Sequence, residues 1–123
     1  MKITGFNPLI TTENLEETVA LFEALGFERR HTKQDLGESH STLVRMGKDD
    51  FRIDISGTPG VTQARTYIRM NVDNFQEGYD FLVSKGFKSK WGNAPTEDAS
   101  SMGVPMESPS GFTIALAEHL KKD

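Results

Sequence analysis

Two patterns of apolar residues alternate along the chain. Stretches with an apolar residue at every second position predict strands, and stretches with apolar residues three and four apart predict helices. Residues 3–10 read as a strand despite Pro8, which a sheet edge tolerates. Asn14 then opens a helix: its side-chain oxygen is placed to accept a first-turn N–H, with Glu17 placed to reach back. Leu15, Val19, Phe22 and Leu25 follow at helical spacing, and Gly26 supplies the left-handed stop. Strands are expected at 27–32 and 41–46, with a polar loop through Gly37 between them. Gly47-Lys48-Asp49-Asp50 reads as a hairpin turn into a strand over 51–56.

The same order then recurs. Asn14-Leu15-Glu16-Glu17 is echoed by Asn74-Phe75-Gln76-Glu77, and Leu25-Gly26-Phe27 by Lys85-Gly86-Phe87, sixty residues on (14 to 74, 26 to 86). The second copy predicts a strand over 65–72 and a helix carrying Phe75, Tyr79 and Leu82, closed by Gly86. An extended stretch to Trp91 and strands over 102–107 and 112–117 follow, the last two joined by Ser108-Pro109-Ser110-Gly111. Residues 93–101 are the least apolar and read as a surface connection or a lid. Self-similarity of this kind decides the architecture before any motif does. The chain is expected to be one α+β domain, 1–123, made of two modules, 1–60 and 61–123. A half of about 60 residues buries only roughly 60% of its unfolded surface. The halves are therefore expected to share a core, or to exchange with those of a second chain.

Alternation also sorts the strand faces. Phe51, Ile53 and Ile55 point to one side, as do Phe112, Ile114 and Leu116, and are expected to meet the helices. The other side carries Arg52, Asp54 and Ser56, matched by Thr113, Ala115 and Ala117. In the strand over 65–72, Ile68, Met70 and Val72 face the helices, while Tyr67, Arg69 and Asn71 face away. If the halves curl around a common hollow, Arg52, Asp54, Tyr67 and Arg69 line it and the first strand adds Asn7. An antiparallel sheet with one solvated side shows the same parity. What favours a site is that two Arg, one Asp and one Tyr fall on one face, where charges need partners or a ligand.

Composition narrows the partners. The net charge of −4 with acids and bases interspersed provides no basic stripe for a phosphate backbone, so nucleic acid is not expected. No apolar run reaches membrane-spanning length, the first residues do not read as a signal peptide, and the cytoplasm is the default compartment. The chain has no Cys, which excludes disulfides, thiolate metal sites and a cysteine nucleophile.

The ordered set, in duplicate, resembles the vicinal oxygen chelate superfamily of glyoxalases, extradiol dioxygenases, and fosfomycin- and bleomycin-resistance proteins. The matching stretches are Asn14-Leu15-Glu16-Glu17-Thr18 with Leu25-Gly26-Phe27, Val72-Asp73-Asn74 with Gly86-Phe87, and Ser108-Pro109-Ser110-Gly111-Phe112. The last is similar to the family's Asp-Pro-Asp-Gly-Asn turn. The resemblance implies two βαβββ modules forming a curved mixed sheet around a shared cleft, and a homodimer. It also implies metal ligands on the first and last strand of each module, which here fall on Asn7, Asp54, Tyr67 and Ala115. The family's usual residues there are His, Glu or Gln. Asn, Asp, Tyr and Ala make a poor set for a divalent metal. His31, His40 and His119 fall outside those positions and read as surface histidines, though His40 with Glu38 remains a conceivable substitute pair. No cofactor is expected, a divalent metal being the exception to test for.

The first reading of function is therefore a metal-free binder of an anionic or aromatic small molecule, with Asn7, Arg52, Asp54, Tyr67, Arg69 and Trp91 as its contacts. Met102 and Met106 would be either adaptable walls of that site or core filling. The arginines favour a carboxylate or phosphate over a cation, an inference that a strong pair between Asp54 and an arginine would weaken. The alternatives are a lyase, isomerase or dioxygenase with a divergent or metal-free site, in which Asp54 and Tyr67 are the catalytic candidates, and a dimeric scaffold with an empty cleft.

Overall fold

The computed structural model describes residues 1–36, 40–90, 96–97 and 101–119. It contains β1 (Ile3–Thr12), α1 (Leu15–Ala24), β2 (Glu28–Leu36), β3 (Ser41–Lys48), β4 (Phe51–Gly57), β5 (Arg65–Val72), α2 (Phe75–Ser84), β6 (Lys88–Ser89), β7 (Thr96–Glu97), β8 (Ser101–Glu107) and β9 (Thr113–His119). The fold is α+β with a mixed sheet, as the alternation implies. Contacts divide the chain into two units, Asn7–Thr66 and Tyr67–Asp123, the second also taking Met1–Phe6. There Asp73 N–H donates to Lys2 O at 3.0 Å. Among the described residues no helix is long and apolar enough to cross a membrane.

In the first unit β2 is antiparallel to β3 and β3 to β4, while β4 runs parallel to β1. The second unit repeats this scheme: β6 and β7 are antiparallel to β8, β8 to β9, and β9 runs parallel to β5. Each parallel pair is the crossover that a strand–helix–strand segment requires. In both units the helix ends on a glycine with positive φ, 100° at Gly26 and 92° at Gly86, a region that side chains with a Cβ avoid. The β3–β4 hairpin turns on Asp49-Asp50, with Asp49 at φ 54°.

The buried apolar residues make one cluster per unit, because each helix covers the apolar face of its own sheet. Val19, Val44, Met46, Ile53 and Ile55 pack in the first unit, flanked by Leu15, Phe22 and Phe27. Met70, Val72, Phe75, Leu82, Val104, Met106 and Leu116 pack in the second. Met106 is fully buried and Met102 packs against the same cluster, so both fill core on the helix side rather than wall a site. Full burial of such a side chain contributes about 1.5–3 kcal/mol.

The other departures from the sequence reading concern element ends. Phe51 and Phe112 have the expected parity yet are 64% and 51% exposed. Phe51 begins β4 and Phe112 immediately precedes β9, and a ten-residue helix spans only about 15 Å, so these ends overhang it. Phe112 finds an edge-on partner in Phe87, centroids 5.8 Å apart. Leu25 follows the last turn of α1 and is exposed. β2 continues to Leu36 because β3 offers it partners as far as Leu36↔Ser41, through two irregularities. The helix caps also differ. Asn74 accepts from Glu77 N–H at 3.1 Å as expected, but the Asn14 side chain makes no cap bond. Thr12 Oγ1 instead accepts from Asn14 N–H at 3.0 Å. On the helix side Arg29 donates to Glu16 at 2.6 Å, a bond that raises the guanidinium's pKa.

Candidate functional site

The face of the first unit turned away from α1 is built around Asp54. Cross-strand register sets Asp54 opposite Leu9 on β1 and opposite Arg45 on β3. The side chain is wholly buried, and its charge is met on both sides. Asn7 Nδ2 donates to Oδ2 at 2.9 Å and Arg45 Nε donates to Oδ1 at 3.0 Å. Asn7, 8% exposed, also donates to Pro8 O at 2.9 Å. A buried carboxylate persists only when paired and hydrogen-bonded, which this one is. Arg52, two residues before Asp54 and on the same face, is exposed. Expected contacts Asn7 and Asp54 thus touch, and Arg52 is their neighbour.

Arg45 was not among the residues expected here, although the sequence carried the signal. A two-residue turn at Asp49-Asp50 pairs Lys48 with Phe51, and each step back along β3 matches one forward along β4. Counting three steps puts Arg45 opposite Asp54.

The corresponding face of the second unit is different in chemistry. Tyr67, Arg69 and Asn71 lie along β5, all half-buried, with Arg69 opposite Ala115 and Asn71 opposite Ala117. Arg69 Nε donates to Asn71 Oδ1 at 3.3 Å. Lys90 Nζ stands 5.4 Å from the centroid of the Tyr67 ring, within cation–π range. Where the first unit sets Arg45 against Asp54, the second sets Pro105 against Ala115. Trp91 lies outside the described residues, as does Glu38, and so does most of the 93–101 stretch.

The four positions that the resemblance assigns to metal ligands do not fit a divalent metal. Ala115 has no donor atom. Asp54, the only anion among them, already accepts from a guanidinium, whose positive charge opposes a cation at the same carboxylate. His31, His40 and His119 are all exposed, and His40 Nδ1 is paired with Asp35. Among the described residues, no three His, Asp or Glu side chains are grouped to hold a metal ion.

No protein-family model matches the chain, and no curated protein matches it. Solved structures do match. Methylmalonyl-CoA epimerase from Mycobacterium tuberculosis is 12% identical with a TM-score of 0.73, over 97% of this chain and 90% of that one. A variant of Streptomyces coelicolor methylmalonyl-CoA epimerase, in complex with 2-nitronate-propionyl-CoA, is 15% identical with a TM-score of 0.71, over 95% of both. A glyoxalase/bleomycin resistance protein/dioxygenase superfamily member from Vibrio splendidus is 12% identical with a TM-score of 0.61, over 95% of this chain and 99% of that one. At these identities the likeness concerns the fold, which is that of the vicinal oxygen chelate proteins.

Proposed function

We propose that this chain, on a glyoxalase-like fold, binds a small anionic molecule through arginine side chains that neighbour a position the resemblance assigns to a metal ligand. The observation that carries this reading is the buried knot of Asn7, Asp54 and Arg45. It engages the only carboxylate of the set, and the same salt bridge holds the Arg45 guanidinium on the face that carries the exposed Arg52. Arginine forks match carboxylate and phosphate oxygens. In the second unit, taken by itself, Tyr67 and Arg69 lie half-buried on one face of β5 and offer an aromatic surface and a donor of their own. We also take the chain to be a cytoplasmic homodimer without a nucleic-acid partner; sedimentation equilibrium tests the dimer.

Acyl-CoA isomerisation is the second reading, favoured by the similarity to the epimerase structures. It requires a base that can reach substrate, and Asp54 is fully buried with both oxygens engaged. We therefore rank binding first.

Thermal shift against matched panels of carboxylates, phosphates and amines tests the proposal. A ligand at 100 times its Kd stabilises by about 2.7 kcal/mol. The anions should raise Tm, and Arg52→Gln should diminish the gain. A chain stabilised by amines but by no anion would overturn the reading; proton exchange at the α-carbon of an acyl-CoA would promote the second.

A further inference from the structure

We infer that the helix-free face of the first unit grips the phosphate group of a phosphorylated small molecule with Arg30, Arg45 and Arg52, gathered around Gly47. This rests on the anion-binding reading above and specifies the ligand's anionic group.

The arrangement begins with an irregularity in β2. Arg29 pairs with Met46 and His31 with Arg45, which leaves Arg30 as the extra residue. Arg29 turns to α1, where it bonds Glu16. Arg30 goes to the other side and lays its guanidinium over Gly47. A Cβ at position 47 would stand 3.1 Å from Arg30 Cζ and 3.2 Å from its Nε. The glycine therefore leaves the slot in which the Arg30 head lies.

Gly47 is the cross-strand partner of Arg52, and Arg45 precedes it by two residues on the same face. Directly opposed side chains start about 5 Å apart and diagonal ones about 7–8 Å, so all three arginine heads can reach one small ligand. Arg45 is pre-oriented, since its Nε donates to Asp54 while its two terminal nitrogens make no hydrogen bond among the described residues. Among the described residues, neither Arg30 nor Arg52 forms an ion pair. Glu28 flanks Gly47 from β2 and makes no ion pair with any of the three. The face stays net positive with both Asp54 and Glu28 counted.

The second unit supplies an internal comparison. It builds the same ladder with Pro105, Glu107 and Thr113 at the places of Arg45, Gly47 and Arg52, and with Ala115 for Asp54. The fold does not need the arginines. A carboxylate has two oxygens, which a single guanidinium fork satisfies, whereas the three terminal oxygens of a phosphate ester match three forks.

The test is a titration of the intact chain with inorganic phosphate, phenyl phosphate and benzoate, read by amide chemical shifts. Both phosphates should bind more tightly than benzoate, with shifts centred on β3 and β4 near Gly47. Arg30→Gln and Arg52→Gln should each weaken phosphate binding at least tenfold, equivalent to about 1.4 kcal/mol. Both side chains are exposed, so folding should be unaffected. Gly47→Ala should weaken it comparably while changing no charge, because the new methyl displaces Arg30. Lys85→Gln, just past the end of α2, should bind as the wild type does. Phosphate binding indifferent to Arg30→Gln and Gly47→Ala would overturn the inference. So would benzoate binding as tightly as phenyl phosphate, and either result leaves the broader anion reading intact. No response to any of the three would sink both.

Discussion

Removing the Asp54 carboxylate should cost the first unit more than any exposed charge change could. Asp54→Ala deletes a wholly buried anion and strands two donors, Asn7 Nδ2 and Arg45 Nε. Breaking a buried pair from one side typically costs about 3–5 kcal/mol. Two features moderate that figure. The Arg45 side chain is 32% exposed and can turn toward water, and Asn7 retains its bond to Pro8 O. A loss of about 3 kcal/mol is expected, with each stranded donor responsible for about 1–3 kcal/mol. Arg45→Ala should cost a similar amount, because it takes the guanidinium away from a wholly buried carboxylate. The double variant Arg45→Ala/Asp54→Ala removes both charges and approximates the second unit's Pro105–Ala115 pair. It should therefore cost well under the sum of the singles, with a coupling of at least about 1 kcal/mol. Urea unfolding followed by circular dichroism measures all three, provided the m-value is unchanged. Strict additivity, or an Asp54→Ala variant within about 0.5 kcal/mol of wild type, would refute the claim that this knot is a coupled buried unit.

Other consequences are simpler. The caps should behave asymmetrically: Asn74→Ala should lose about 1 kcal/mol with its bond to Glu77 N–H, whereas Asn14→Ala should be nearly neutral and Thr12→Ala costly, all by urea midpoint. Met106→Ala, in the centre of the second core, should cost about 2–5 kcal/mol in the same measurement, and the half-buried Met102→Ala distinctly less. Tyr67→Ala should weaken an aromatic anion more than an aliphatic one of equal charge, read by calorimetry; equal losses for both would remove Tyr67 from the ligand's aromatic contacts.

Much of the architecture was legible because the period-two and helical patterns are strong and occur twice. The glycine stops at Gly26 and Gly86 and the Ser108–Gly111 turn carry conformational demands that few other residues meet. Less legible was anything depending on where an element ends. The overhang of Phe51 and Phe112 depends on helix length against strand length, and the extra turn-side residues of β2 depend on its partner strand. The capping difference is local in another way: two Asn residues in like sequence have different backbone angles, and only one reaches its N–H. At the candidate site, Asn7, Arg52 and Asp54 could be placed on one face by alternation alone. Arg45 needed the hairpin register as well, and Arg30 needed an irregularity in β2 that no periodic pattern announces. Charge pairing is likewise invisible in sequence until register is known, which is why Asp54 reads there as a candidate base and here as a carboxylate already engaged.

The most direct measurement is a side-by-side titration of chelator-treated protein with a phosphate ester and with divalent zinc, nickel and manganese, on wild type and Arg52→Gln. Saturable anion binding that the arginine variant weakens, with no stoichiometric metal uptake, is the predicted result. One tightly held metal ion per chain, lost on Asp54→Asn, would contradict the account.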